Sequence, residues 1–237
     1  MFKDLDLPRH IKKEILHKII EIAEENLSTN QPLDITKIIN QVKYRLDITR
    51  KESINHVKYL LRKNILVEGS KYTRKTVLKN EYRNFIYSLF KPSRVLTFSD
   101  IKRKLSDQFP PYNGSSGQLV WHLEMLLKFS LIDKIKVKNS TIFKPIGMNE
   151  ENATLLFLAR DDVTRKIMQE LAGNGGLSKD DIIRVIAGNR NHVSYRLEKL
   201  KEFGIITRKD YQPDDIYQIP ATMQHVIKNL FGGEKTR

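Results

Sequence analysis

The residues best suited to work on a polyanion stand in one run, Arg190, Asn191, His192, Ser194, Tyr195 and Arg196. Their guanidinium, amide, imidazole and hydroxyl groups can donate to phosphate oxygens or read base edges. Arg208 and Lys209 follow closely. A second set, Arg50, Lys51, Asn55, His56, Lys58 and Arg62, combines the same chemistries with more positive charge. A third, uncharged set comprises Gln118, Trp121 and His122, followed by the alternating Lys134, Lys136 and Lys138. Each set has a plainer reading. Surface arginine is common without any ligand, lysines on a sheet edge discourage aggregation, and tryptophan on a short helix often packs in a core or interface.

Other chemistries lack their residues. With no cysteine, disulfides and thiolate metal sites are excluded. His10, His17, His56, His122, His192 and His225 are scattered without ligand-like spacing, so no metal is expected. Gly173-Asn174-Gly175-Gly176 is not followed by the Lys-Ser/Thr pair of a phosphate loop. No carboxylate pair or Ser/His/Asp order stands out, so neither an enzyme nor a cofactor is expected.

The net charge of +14 favours a polyanionic partner through counterion release. It is unevenly spread: residues 1–78 hold 16 Lys/Arg against 10 Asp/Glu, residues 79–148 hold 12 against 5, and residues 149–237 hold 14 against 13. The run at 190–196 therefore lies in the least basic third. The longest apolar runs, such as 155–159, fall far short of the ~20 residues of a membrane span. The N-terminal sequence lacks the apolar core of a signal peptide, so cytoplasmic residence without membrane insertion is the default.

Periodicity supplies the elements that must carry these residues. Ile11, Ile15, Ile19 and Ile22 form one apolar stripe in a helix from His10 to Asn26. Asp34 is placed to cap a second helix, and Thr49 with Glu52 fits a capping box opening a third, which runs to about Lys63. Ile65-Leu66-Val67 is a strand candidate without an obvious partner. Residues 76–90 read as one helix, and 98–105 as a short one with Ser99 as cap. The 109–116 loop, including Pro110, Pro111 and Tyr112, precedes a helix over 117–129. Residues 131–137 and 141–143 read as a hairpin. Residues 153–171 read as a helix kinked near Asp161, and Ser178 caps the next. The helix carrying Arg190–Arg196 ends at Gly204, with strands at 205–207 and 216–219 across a 210–215 turn. A helix over 222–231 and a frayed 232–237 tail close the chain.

Three helix-to-strand junctions coincide: Lys63-Asn64-Ile65-Leu66, Phe129-Ser130-Leu131-Ile132 and Phe203-Gly204-Ile205-Ile206, spaced 66 and 74 positions apart. Val57, Leu123 and Leu197 match upstream, as do Leu60, Leu126 and Leu200. His56, His122 and Arg196 match on what reads as the exposed side. A period of this size suits a compact domain better than a solenoid repeat.

NHVSYRLEKLKEFGII and QLVWHLEMLLKFSLI resemble the third-helix segment of archaeal and bacterial winged helix-turn-helix regulators. There, a Tyr-His-Leu or similar triplet precedes a Gly-Leu-Ile/Val stop. The likeness covers about residues 9–220 and is stronger over 80–220. It implies a mainly α fold with small β-wings (α+β), in tandem winged helix-turn-helix domains. These would span 1–78 with a truncated wing, 79–148 and 149–220, followed by a C-terminal helix and tail over 221–237. It also implies a DNA-binding transcriptional regulator of double-stranded DNA, in which the third helices enter the major groove and the wings touch phosphates. Among the residues named above, Arg50 to Arg62, Gln118 to His122, the 134–138 lysines, Arg190 to Arg196, Arg208 and Lys209 then become the DNA-binding candidates. The alternative is a tandem winged-helix protein scaffold, such as an endosomal-sorting or RNA polymerase-associated subunit. A protein partner, and a homodimer through the stripes at 11–22 and 222–231, stay open.

Overall fold

Short polar side chains set where the helices begin, and apolar stripes set which face each one buries. The computed structural model describes residues 7–29, 31–91, 94–110, 115–209 and 215–231. The loop expected at Pro111 and Tyr112, most of the 210–215 turn and the 232–237 tail lie outside these residues.

The first three helices are α1 (Lys13–Ser28), α2 (Ile35–Arg45) and α3 (Arg50–Arg62). The chain makes a turn before α1, with Ile11 N donating to Pro8 O, so the helix begins later than its apolar stripe. Asp34 accepts from Lys37 N to open α2, and Thr49 and Glu52 form the full capping box at α3. Leu16, Ile19, Ile38, Val42, Val57, Leu60, Ile65 and Leu66 are buried together in one core. Each such aliphatic side chain contributes about 1.5–3 kcal/mol on full burial. The strand expected at Ile65–Val67 does not form. Instead Leu33 N donates to Ser70 O and Gly69 N to Leu33 O, a two-bond remnant of a sheet.

The helix expected over 76–90 is interrupted. Thr76–Lys79 is a 3-10 turn, and Asn80 adopts an extended conformation and caps α4 (Glu81–Ser88) through Arg83 N. Strand β1 (Leu96–Thr97) is too short to show alternation in sequence. Thr97, rather than Ser99, caps α5 (Phe98–Gln108), in a capping box with Asp100. Helix α6 (Ser116–Lys128) leads into β2 (Ile132–Val137) and β3 (Ser140–Pro145). The antiparallel sheet has the order β1-β3-β2, with Lys134 opposite Phe143 and Lys136 opposite Thr141. Ile86, Ile101, Leu105, Leu119, Leu123, Leu126, Phe129 and Phe143 form a second core.

The kinked helix expected over 153–171 is two helices, α7 (Glu150–Leu158) and α8 (Asp162–Asn174), with Asp161 as the cap of α8. Next come β4 (Leu177–Ser178), α9 (Lys179–Ile186) and α10 (Arg190–Glu202). Strands β5 (Thr207–Lys209) and β6 (Ile216–Gln218) join β4 in the order β4-β6-β5, and α11 (Ala221–Phe231) follows. Strand β5 starts later than expected because Ile205 is still tied to the end of α10. Leu171, Ile182, Val193, Leu197, Leu200, Ile206, Met223 and Ile227 share a third core.

Helices α3, α6 and α10 are each 13 residues long. Each ends on a left-handed residue: Asn64 at φ 49°, Ser130 at φ 48° and Gly204 at φ 67°. The closing bonds repeat as well. Ile65 N, Leu131 N and Ile205 N donate to Leu60 O, Leu126 O and Leu200 O, with distances of 2.9, 2.9 and 3.0 Å. This reversal satisfies carbonyls that the helix end leaves open.

The chain divides into two compact units, Met1–Gly147 and Met148–Arg237. Within the first, the equivalent junction residues meet, with Asn64 Nδ2 donating to Ser130 Oγ at 2.7 Å. The faces considered for a homodimer are used internally: Ile19 and Ile22 of α1 lie in the first core, and Met223 and Ile227 of α11 in the third.

Candidate nucleic-acid interface

The three 13-residue helices divide their faces in the same way. Ser53, His56, Val57 and Leu60 are buried in α3, and Leu119, His122, Leu123 and Leu126 in α6. In α10, Val193, Leu197 and Leu200 are buried and Arg196 is half-buried beside them. This i, i+3, i+4, i+7 stripe is wide enough to include the residue before each central apolar position. His56 and His122 are therefore buried and Arg196 half-buried, rather than on the exposed side where the sequence pattern places them.

Each of the three instead lies against the start of another helix, α1, α4 or α8. His56 Nε2 accepts from Lys12 N at 3.1 Å, and its Nδ1 lies 2.8 Å from Glu52 O. Lys12 is the residue preceding α1. Arg196 grips Asp161, the cap of α8, with Nε at 2.6 Å and Nη2 at 2.8 Å. Asp161 also accepts from Thr164 N and Thr164 Oγ1, both at 2.8 Å. Arg196 donation is the main cause holding the Asp161 carboxyl well below the usual carboxylate range. His122 lies against Tyr82 and Trp121, at centroid distances of 5.7 and 5.1 Å, with no hydrogen-bond partner on either nitrogen. Burial, aided by the Arg83 charge, pushes its pKa down to about 4.

The remaining candidates reach solvent to different degrees. In α10, Arg190, Asn191, His192 and Tyr195 are exposed. Arg190 also pairs with Asp180 at 3.0 Å, and the half-buried Ser194 donates to Arg190 O at 2.7 Å. The helix starts where it does because Asn189 Oδ1 accepts from Asn191 N and His192 N. Gly188 permits the tight approach before it, since a Cβ there would lie 3.1 Å from Val193 Cγ2. In β5, Arg208 pairs with Asp215 at 2.8 Å, while Lys209 is exposed. In α3, Arg50, Lys51, Lys58 and Arg62 are exposed and Asn55 is half-buried. In α6, Gln118 is exposed and Trp121 is 45% exposed. Lys134 and Lys136 share the outer face of β2, and Lys138 sits at the hairpin turn with φ 51°. Their neighbour Lys144 is buried instead, held by Asp133 at 2.7 Å.

Sequence reading passed over Arg83, which the fold buries to 3% exposure. Its spacing of three from Ile86 and seven from Phe90 was the available signal. The guanidinium lies over the Tyr72 ring at 4.7 Å and the Trp121 ring at 5.0 Å. Among the described residues, no group of three His, Asp or Glu side chains is placed to hold a metal ion, and no helix is long and apolar enough to cross a membrane.

Residues 160–207, from the turn before α8 to the first residue of β5, match the winged helix-turn-helix DNA-binding family. An uncharacterized HTH-type transcriptional regulator of Methanocaldococcus jannaschii is 28% identical over 143 residues. That alignment takes in 60% of this chain but only 34% of the relative's own length. The crystal structure of the endosomal complex ESCRT-II (VPS22/VPS25/VPS36) aligns with 89% of this chain and 91% of its own, at 13% identity and a TM-score of 0.26. Over residues 160–207, the chain is thus similar to the winged helix-turn-helix DNA-binding family.

Proposed function

We propose that the protein is a non-catalytic, DNA-binding transcriptional regulator built from tandem winged helix-turn-helix repeats. The observation that carries this reading is the outer face of α10. Inside the family segment, it offers Arg190, Asn191, His192 and Tyr195 to solvent along its first two turns. A helix offering these groups at its N-terminal end fits the major groove, where arginine and asparagine read base edges. Matching lengths and end structures of α3, α6 and α10 support the tandem assignment. In this reading, α10 supplies selectivity. Arg50, Lys51, Lys58 and Arg62 of α3 and the 134–138 lysines supply much of the salt-dependent affinity.

Duplex binding across a salt series tests it. Each phosphate contact contributes about 0.9 to the slope of log affinity against log salt. Reversing Lys51 and Lys58 to glutamate should therefore lower the slope by about 2 and weaken all duplexes alike. Asn191→Ala should relax sequence preference with little change in slope. A slope near zero for the wild-type chain would sink the proposal. The rival scaffold reading draws on the partly apolar outer face at the start of α6, where Val120 and Trp121 are exposed. A stoichiometric protein partner without nucleic acid would favour it.

A further inference from the structure

A buried guanidinium normally has a carboxylate partner, because desolvating the charge is costly. Arg83 has none among the described residues, and its Nε and Nη1 lack any hydrogen-bond acceptor. The faces of Tyr72 and Trp121 compensate it only in part. Glu24, the nearby carboxylate, is committed elsewhere: it accepts from Thr73 Oγ1 at 3.2 Å and pairs with Lys75 at 3.5 Å. Arg83, Tyr72, Glu24, Lys71, Lys79 and Asn80 line a cleft of about 450 Å³ within the first compact unit. That volume is in the range of small-molecule sites. The lining holds three cationic side chains against one carboxylate.

We propose that this cleft binds a small anion bearing a carboxylate or phosphate group, with Arg83 as its central partner and Lys79 at the rim. The guanidinium fork suits either group bidentately, and the aromatic faces on Arg83 hold it in place before the ligand arrives. No residue of α3 or α10 lines the cleft, and the inference does not rest on DNA binding.

Trp121 is the single tryptophan of the chain and lies against Arg83, so its emission reports on the site. Inorganic phosphate and succinate, titrated separately into the full chain at constant ionic strength, should give a saturable change with at least one of them. Chloride should give none. Lys79→Ala, at an exposed position, should raise the midpoint about tenfold, the loss expected for one charge-assisted contact. Arg83→Met should abolish the response; if that variant does not fold, Lys79→Ala carries the test. No saturable change with either anion, or an unshifted midpoint in Lys79→Ala, overturns the proposal. So does a response to duplex DNA alone, which would assign Arg83 to a nucleic-acid phosphate.

Discussion

Arg196 gives the sharpest test of the difference between a structural arginine and a DNA-reading one. Its guanidinium meets Asp161 through two short bonds, with the side chains 21% and 44% exposed. Partial exposure screens the attraction, so the pair is worth about 1 kcal/mol, the upper end for a surface pair with bidentate geometry. Arg196→Ala should cost that amount. Asp161→Asn keeps a capping oxygen for Thr164 N and should cost about the same. The double variant should cost little more than either single one, because both remove one interaction. Asp161→Ala loses the cap as well and should cost about 2 kcal/mol. The measurements are urea midpoints for the full chain, with duplex affinity determined where every variant is folded. Arg196→Ala should change affinity less than about threefold. A tenfold or greater loss of affinity at an unchanged midpoint would refute the clamp and return Arg196 to the DNA face. Acid provides a second check. The Asp161 carboxyl is held below the usual range, so its stabilisation is present above about pH 4 and lost as pH falls toward the folded-state value.

Two further outcomes follow from named positions. His122 titrates near 4 when folded against 6.5 when unfolded, so the unfolded chain takes up its proton first as pH falls. Stability should drop between about pH 6.5 and 4, by roughly 3 kcal/mol in all; His122→Leu should remove that drop in circular-dichroism unfolding curves, and an identical drop in the variant would exclude His122 as its source. Gly204 is left-handed, yet Asn64 and Ser130 make the same turn with side chains, and a Cβ on Gly204 would meet nothing within 4 Å. Gly204→Asn should therefore cost well under about 1 kcal/mol, and the β-branched Gly204→Val clearly more; equal thermal shifts for the two would show that space, rather than backbone conformation, decides.

Much of the fold was legible because its signals are local. Asp34, Thr49 and Ser178 announce helix starts through their own backbone bonds, and Gly204 announces a stop. The repeat at Asn64, Ser130 and Gly204 could be read from a few aligned letters. The misses share a cause. Strands β1 and β4 are two residues each and exist only because a distant strand pairs with them. The breaks at Asn80 and Asp161 depend on which of two compatible conformations the neighbouring helices reward.

The candidate interface divides along the same line. Sequence by itself determined the charge, its uneven spread, the absence of thiol chemistry and the polar face of α10, since these depend on residue type and helical spacing. Tertiary structure decided which polar residues face outward. His56, His122 and Arg196 sit at one helical position whose direction becomes definite only when α1, α4 and α8 pack against α3, α6 and α10. Arg83 became a candidate for the same reason: nothing in its neighbours along the chain indicates that Tyr72 and Trp121 will close over it. Periodicity places a side chain on a helix, but the partner that desolvates it or pairs with it comes from elsewhere in the chain.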